Sequence, residues 1–205
     1  MKPAYRIAVL VTYFGELPWY FSFFIHSCKF NADIDFYLFC DQDIKDALPG
    51  NITLVRTSLG EVQQLASDKL QFAASIEFPY KLCDYKPAYG LIFEDHIRDY
   101  DFWAQSDIDI IYGNLRNFFS NELLDTIDYA SVRHDYATGC FSLFRNNAMI
   151  NNLFKMSKDH QQVFTTKEYM AFLMGWNYER KIIKQCCFYY WKLTYGFPEF
   201  VLISH

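Results

Sequence analysis

From residue 6 to residue 15 the chain reads Arg6-Ile7-Ala8-Val9-Leu10-Val11-Thr12-Tyr13-Phe14-Gly15, an apolar run without alternation that stops at a glycine. A run with no polar face suits a strand buried on both sides of a parallel sheet. Pro18 then opens a helix over residues 19–30, with the proline in its first turn. Residues 34–40 form a second strand, followed by Asp41-Gln42-Asp43, and residues 51–56 form a third after the Pro49-Gly50 turn. Leu59, Val62, Leu65 and Leu70 recur at helical spacing behind Ser58, a suitable cap, and predict a helix over residues 59–72. Strand, helix, strand, strand, helix is an α/β order, and parallel pairing with right-handed crossovers is its default.

Two later stretches carry polar residues in unusual company. In Pro79-Tyr80-Lys81-Leu82-Cys83-Asp84-Tyr85-Lys86-Pro87, one helical turn places Lys81, Asp84 and Tyr85 on a common face. Pro87 starts a second helix over residues 88–97, and Lys86, directly before it, is expected in extended backbone. Two readings stand: a group of two lysines and an acid at a pocket mouth where phosphates dock, or an exposed charge cluster with an ordinary ion pair.

The second stretch is Tyr100-Asp101-Phe102-Trp103-Ala104-Gln105-Ser106-Asp107-Ile108-Asp109-Ile110-Ile111-Tyr112-Gly113-Asn114. In extended backbone Asp107 and Asp109 project together while Ile108 and Ile110 point the other way, with the acids ~6–7 Å apart along the strand. At an effective dielectric of about 20 their repulsion is on the order of 2 kcal/mol, which a bound cation turns into attraction. An all-oxygen pair suits Mg²⁺ or Mn²⁺, with waters and substrate phosphates completing the shell. The plain alternative is a strand end with solvated acids.

Composition narrows the classes. The chain has 205 residues, 52% of them hydrophobic and 20% aromatic, which supplies a core and argues against disorder. A net charge of −5 with scattered Lys and Arg offers no footprint for nucleic acid. The cysteines, Cys28, Cys40, Cys83, Cys140, Cys186 and Cys187, show neither a Cys-x-x-Cys pair nor finger spacing, so buried free thiols in a reducing compartment are expected. No cleavable signal is read at the N-terminus, and no apolar stretch reaches the ~20 residues that span a bilayer. A cytoplasmic location is expected, with peripheral contact at a membrane face left open.

Taken together, Tyr80-Lys81-Leu82-Cys83-Asp84-Tyr85-Lys86-Pro87-Ala88-Tyr89-Gly90, Tyr100-Asp101-Phe102-Trp103 and Asp107-Ile108-Asp109-Ile110-Ile111-Tyr112-Gly113-Asn114-Leu115 resemble a bacterial glycosyltransferase family of the GT-A fold, with an Asp-x-Asp motif. The likeness continues through Ala130-Ser131-Val132-Arg133 and Thr138-Gly139-Cys140-Phe141-Ser142-Leu143-Phe144-Arg145-Asn146, and covers roughly residues 5 to 170. The resemblance implies an α/β fold of the nucleotide-diphospho-sugar transferase kind, with a mainly parallel central sheet flanked by helices. It implies transfer of a sugar from a nucleotide-diphosphate donor, most often a UDP-sugar, to a saccharide or lipid-linked acceptor in capsule or lipopolysaccharide synthesis.

Residue by residue, it implies that Thr12, Tyr13 and Phe14 line the base pocket with Asp41 nearby. Lys81, Lys86 and Asp84 meet the donor, with Asp84 and Asp107 counted as catalytic. Asp107 and Asp109 hold Mn²⁺ or Mg²⁺, Asp109 the more firmly, and the ion acts as a Lewis acid on the departing diphosphate. Gly139 lets backbone approach the donor sugar, or is simply the turn before a strand over residues 140–144. His134 and Asp135 could serve an acceptor or be surface; His26, His96 and His160 receive no role.

The resemblance divides the chain into a GT-A-like nucleotide-sugar-binding domain over residues 1–172 and an extension over 173–205 that departs from the family. Lys181, Lys184 and Lys192 lie there among Phe188, Tyr189, Tyr190 and Trp191. A packed terminal helix with snorkelling lysines and an interfacial surface for a lipid-linked acceptor are both consistent with that tract. His205 matches no family element and carries no role. The competing functional class is a catalytically inactive or truncated GT-A-like protein that binds nucleotide or acts as a structural partner. Nucleotidyl transfer ranks third, since no phosphate-cradling glycine loop is found.

Overall fold

The computed structural model describes residues 4–44, 47–132 and 138–172, together with the backbone of residues 201–202. The expected strands and helices of the first half form as β1 (Ile7–Tyr13), α1 (Phe21–Lys29), β2 (Asp35–Cys40), β3 (Ile52–Arg56) and α2 (Leu59–Leu70). Ser58 caps α2 within a capping box: its hydroxyl accepts from the Glu61 N–H, and the Glu61 carboxylate accepts from the Ser58 N–H at 2.7 Å. Such a cap stabilises a helix by about 1 kcal/mol. α1 starts later than expected. Pro18 precedes it, and the Pro18 carbonyl accepts the N–H of Phe21.

The stretch around Pro87 is more broken than its pattern suggested. A 3₁₀ turn, Pro79–Lys81, leads into α3 (Leu82–Tyr85), a second 3₁₀ turn Lys86–Ala88, α4 (Tyr89–Ile92) and α5 (Glu94–Ile97). Lys86 is helical, at φ −50° and ψ −39°, although it precedes a proline. The expected single helix over 88–97 breaks at Phe93, whose φ of −102° and ψ of +24° leave the helical region. Both differences follow from packing, because Lys86, Pro87, Ala88 and Phe93 are buried and their side chains decide the path of the backbone.

The chain continues as β4 (Phe102–Ser106), β5 (Ile110–Ile111), α6 (Leu115–Phe118), α7 (Asn121–Leu124), β6 (Tyr129–Ser131), β7 (Phe141–Arg145), α8 (Ala148–Asn151) and α9 (His160–Thr165). Residues 201–202 form β8 (Val201–Leu202), antiparallel to β5. The main sheet among the described residues has six strands in the order β3-β2-β1-β4-β7-β6. β3, β2, β1 and β4 are mutually parallel, and β7 enters antiparallel between β4 and β6. The α/β class and a mainly parallel sheet flanked by helices are therefore as expected. The reversed strand β7 was not, since an apolar run carries no sign of direction.

Alternate residues of the central strands feed two cores. Ala8, Leu10, Phe39 and Trp103 face the side of α2, α4 and α9; Val9, Val11, Phe36 and Ala104 face the side of α1 and α6. Each large apolar side chain fully removed from water contributes about 1.5–3 kcal/mol, so both sheet faces are held firmly and the strand ends stay fixed. Val11 pairs with Ser106 in the β1–β4 register. β1 runs on to Tyr13 against β2 while β4 stops at Ser106, so residues 12–14 and 107–109 lie side by side at this end of the sheet.

Candidate active site

The strand order reverses between β1 and β4: the chain goes from β1 to β2 on one side and returns through β4 on the other. In open α/β sheets the crevice beyond the carboxyl ends at such a point is where ligands bind. A cleft of about 510 Å³ lies there, and its lining includes Thr12, Tyr13, Phe14, Lys86, Asp107, Asp109 and Gly139. Of the ten expected site residues, the fold brings these seven together.

Several of them are held by neighbouring groups. The Thr12 hydroxyl shares a 2.8 Å hydrogen bond with the hydroxyl of Tyr89, and the Tyr13 hydroxyl donates to the Glu16 carbonyl at 3.0 Å. β4 ends at Ser106, so the two acids lie on a turn rather than on a continuing strand. The expected alternation survives the turn: Ile108 and Ile110 are buried while Asp107 and Asp109 remain partly exposed. The Asp107 N–H donates to the Cys140 carbonyl at 3.1 Å. Tyr112 donates to Ser106 at 2.6 Å just beneath.

Lys86 links the two walls. Its ammonium donates to Asp107 Oδ1 and, at 2.5 Å, to the carbonyl of Gly139. The Lys86 side chain is 3% exposed, whereas that of Asp107 is 37% exposed. Burial is the largest single effect and works against the ammonium, but the charge and hydrogen bond of Asp107 together with Cys83 and Cys140 overcome it and hold the Lys86 pKa above its ordinary value. Gly139 is kept in place through its neighbour: the Thr138 carbonyl accepts from Gln105 Nε2 at 2.9 Å, and the Thr138 hydroxyl donates to the Phe141 carbonyl at 2.8 Å.

The remaining three expected site residues lie elsewhere. Asp41 is outside the cleft lining; it accepts the N–H of Gly15 and the amide of Gln42, both at 3.0 Å. Those bonds hold its carboxyl below the usual range, the one from Gln42 most. Gly15 takes φ +106°, a conformation that glycine adopts without a Cβ penalty, so Asp41 secures the loop that leaves β1. Lys81 and Asp84 are fully buried against each other, 2.9 Å apart, and neither lines the cleft. Of the two readings for Lys81, Asp84 and Lys86, the exposed charge cluster is corrected, since all three are buried, and of the group expected at a pocket mouth only Lys86 lines the cleft. Lys81 and Asp84 are turned inward because the segment of residues 163–172 closes over them and offers backbone partners.

That segment also supplies what the sequence pattern missed. Tyr169 and Tyr80 line the cleft with ring centroids 4.7 Å apart, and Tyr20, Cys83 and Cys140 are also part of its wall. Tyr80 and Cys83, beside the lysines, and Cys140, beside Gly139, carried a local signal. Tyr169 reaches the site through long-range contacts that no short motif encodes. His134, Asp135, the tract with Lys181, Lys184 and Lys192, and His205 lie outside the described residues.

The donor set fits a hard divalent cation in one specific way. No group of three or more His, Cys, Asp or Glu residues gathers among the described residues. Two carboxylates facing one cleft are the protein share typical of Mg²⁺-like ions, which take further oxygens from water and phosphate.

No curated protein matches the sequence. Among solved structures, the chain is similar to galactosyltransferase LgtC in complex with donor and acceptor sugar analogs, at 11% identity and a TM-score of 0.48, over 82% of this chain and 69% of that one. It is also similar to an active-site mutant of LgtC, at 12% identity and a TM-score of 0.45, over 80% of this chain and 65% of that one. A family model matches residues 9–195, and the chain belongs to that family, the family of unknown function DUF6625.

Proposed function

We propose that this chain is a metal-dependent glycosyltransferase, taking a nucleotide-diphosphate sugar in the β1–β4 cleft and passing the sugar to a saccharide or lipid-linked acceptor of bacterial surface polysaccharide. One observation carries the reading: a single cleft at the strand-order reversal gathers the end of β1, a buried lysine, two carboxylates and Gly139. Thr12, Tyr13 and Phe14 form the side for the nucleoside. Lys86 is the cation that meets diphosphate oxygens, since a lysine presents three donors on a flexible stem. Asp107 and Asp109 hold Mn²⁺ or Mg²⁺, which supplies positive charge to the departing nucleoside diphosphate. The lack of a side chain on Gly139 leaves room beside Lys86 for the sugar. Among the described residues no helix is long and apolar enough to cross a membrane, and the reading places the reaction in the cytoplasm.

The test is ligand-induced stabilisation. Mn²⁺ with UDP, and then with the other nucleoside diphosphates, is added to the parent and to Asp109→Ala. A ligand at a hundred times its dissociation constant adds ~2.7 kcal/mol to stability, which raises the melting temperature by about 5–10 °C for a chain of this size. The parent should show that shift with at least one nucleotide, and Asp109→Ala should lose it while melting close to the parent without ligand. An equal shift in Asp109→Ala, or none in the parent with any nucleotide, overturns the reading.

A further inference from the structure

Lys86 sits where a cation for the acids of the cleft would be wanted, and it is already bonded to one of them. Its ammonium lies on Asp107 Oδ1 and on the Gly139 carbonyl, with the side chain 3% exposed and that of Asp107 37% exposed. Two of its three N–H donors are thereby used, and the third is left for an oxygen brought in by a ligand. The root of the side chain cannot drift, because Lys86, Pro87 and Ala88 form a buried 3₁₀ turn. The ammonium, at the end of four methylenes, can therefore move only within the cleft.

We propose that Lys86 is a resident counter-ion that keeps the acid pair from taking up a divalent cation until a diphosphate arrives. This rests on the reading of the cleft as a nucleotide-diphosphate site. A divalent cation bound to Asp107 beside an ammonium on the same carboxylate is repelled by it, and in a partly desolvated cleft that repulsion is large. The diphosphate carries charges that attract the ammonium away from Asp107 while the neutral Gly139 carbonyl continues to anchor it. Asp107 then becomes available as the ammonium moves to the phosphate oxygens. Metal and nucleotide consequently load together, each raising the affinity of the other by the same factor.

A plain structural ion pair makes the opposite demand. If Lys86 only braced Asp107, its removal would loosen the turn that carries both acids, and metal affinity would fall or stay level.

Binding of Mn²⁺ alone, without nucleotide, separates the two and needs no turnover. The electron paramagnetic resonance signal of free Mn²⁺ is followed as protein is added, for the parent, Lys86→Met and Lys86→Gln. Methionine keeps much of the aliphatic stem, and glutamine can still donate to the Gly139 carbonyl, so the second variant remains informative if the first folds poorly. Both variants should bind Mn²⁺ about tenfold more tightly than the parent or better, the size expected for removing one nearby positive charge. In metal-free buffer the same variants should bind UDP about tenfold more weakly. Adding Asp109→Asn to Lys86→Met should erase the gain in Mn²⁺ affinity, which locates the ion in the cleft. Unchanged or weaker Mn²⁺ binding in the folded variants overturns the counter-ion role. If the parent still binds Mn²⁺ with UDP in that case, the proposed function survives alone; if neither parent nor variants bind Mn²⁺ with or without UDP, both fail.

Discussion

Lys81 and Asp84 meet at 2.9 Å with neither side chain exposing any surface. The pair is fully satisfied. The three ammonium hydrogens of Lys81 go to Asp84, to the Val163 carbonyl at 2.8 Å and to the Glu168 carbonyl at 2.6 Å. Asp84 accepts the N–H groups of Met170 at 2.8 Å and Phe172 at 2.9 Å. Between those two donors Ala171 takes φ +53°, a left-handed conformation that costs a residue with a Cβ roughly 1–2 kcal/mol. The ion pair thus fixes a strained turn, and the segment it fixes carries Tyr169 into the cleft wall.

Asp84→Ala should therefore destabilise the fold strongly. Removing one partner of a buried pair leaves the other charge uncompensated and costs about 3–5 kcal/mol. An exposed pair would cost only ~0–1 kcal/mol. The melting temperature should fall by more than about 6 °C. A loss below about 1 °C, with activity destroyed, would instead restore a direct role for Asp84 in chemistry.

What the sequence disclosed and what it concealed differ in kind. The run from Ile7 to Tyr13, the helix behind Ser58 and the division of Asp107 and Asp109 from Ile108 and Ile110 were all readable. Each is a local pattern whose period or cap is set by backbone geometry. The fate of Lys81 was not readable, because two of its three partners are backbone carbonyls more than 80 positions later and any residue type supplies those. Asp41 and Lys86 look alike in sequence as polar residues beside apolar runs. Only the fold separates them, sending one to a loop and the other to the cleft.

Gly90 offers a second stability test. A Cβ added there would lie 2.6 Å from three atoms of the Trp103 indole. That ring cannot step aside easily: it is fully buried, stacks on Phe144 at 4.2 Å and donates its N–H to Asn151 at 2.7 Å. Overpacking of this kind costs typically ~1–3 kcal/mol. Gly90→Ala should lower the urea midpoint accordingly, and an unchanged midpoint would show that α4 can shift against the sheet.

His96 gives the fold an acid limb. It packs against Phe39 at 5.1 Å and Tyr37 at 5.6 Å, and burial pushes its pKa below the ordinary value of 6.5 against the pull of Asp95. Below about pH 6.5 the unfolded chain takes up a proton that the folded chain refuses, so stability falls as pH falls through that window. His96→Phe should flatten urea midpoints between about pH 7.5 and about pH 5.5 relative to the parent. Parallel profiles for the two proteins would remove His96 as a source of that slope.

Thiol chemistry can report on the cleft without any substitution. Cys83 and Cys140 line it and are partly exposed, whereas Cys28 and Cys40 are buried away from it. The reactive species is the thiolate, and burial pushes the Cys83 pKa up, with Lys86 pulling it partly back. Maleimide labelling of Cys83 should accordingly be slow at neutral pH and quicken as pH rises. Cys28 should stay unlabelled in the native protein, since burial pushes its pKa up more strongly still. Nucleotide binding should then protect the cleft thiols selectively. With Mn²⁺ and UDP at a hundred times the dissociation constant, about one molecule in a hundred has an open cleft, and labelling of Cys83 and Cys140 should slow by up to about that factor. Peptide mapping assigns each thiol separately. Protection of Cys83 and Cys140 together, with no change elsewhere, would put the nucleotide between α3 and the start of β7. Equal labelling with and without a nucleotide that demonstrably binds would move its site out of this cleft.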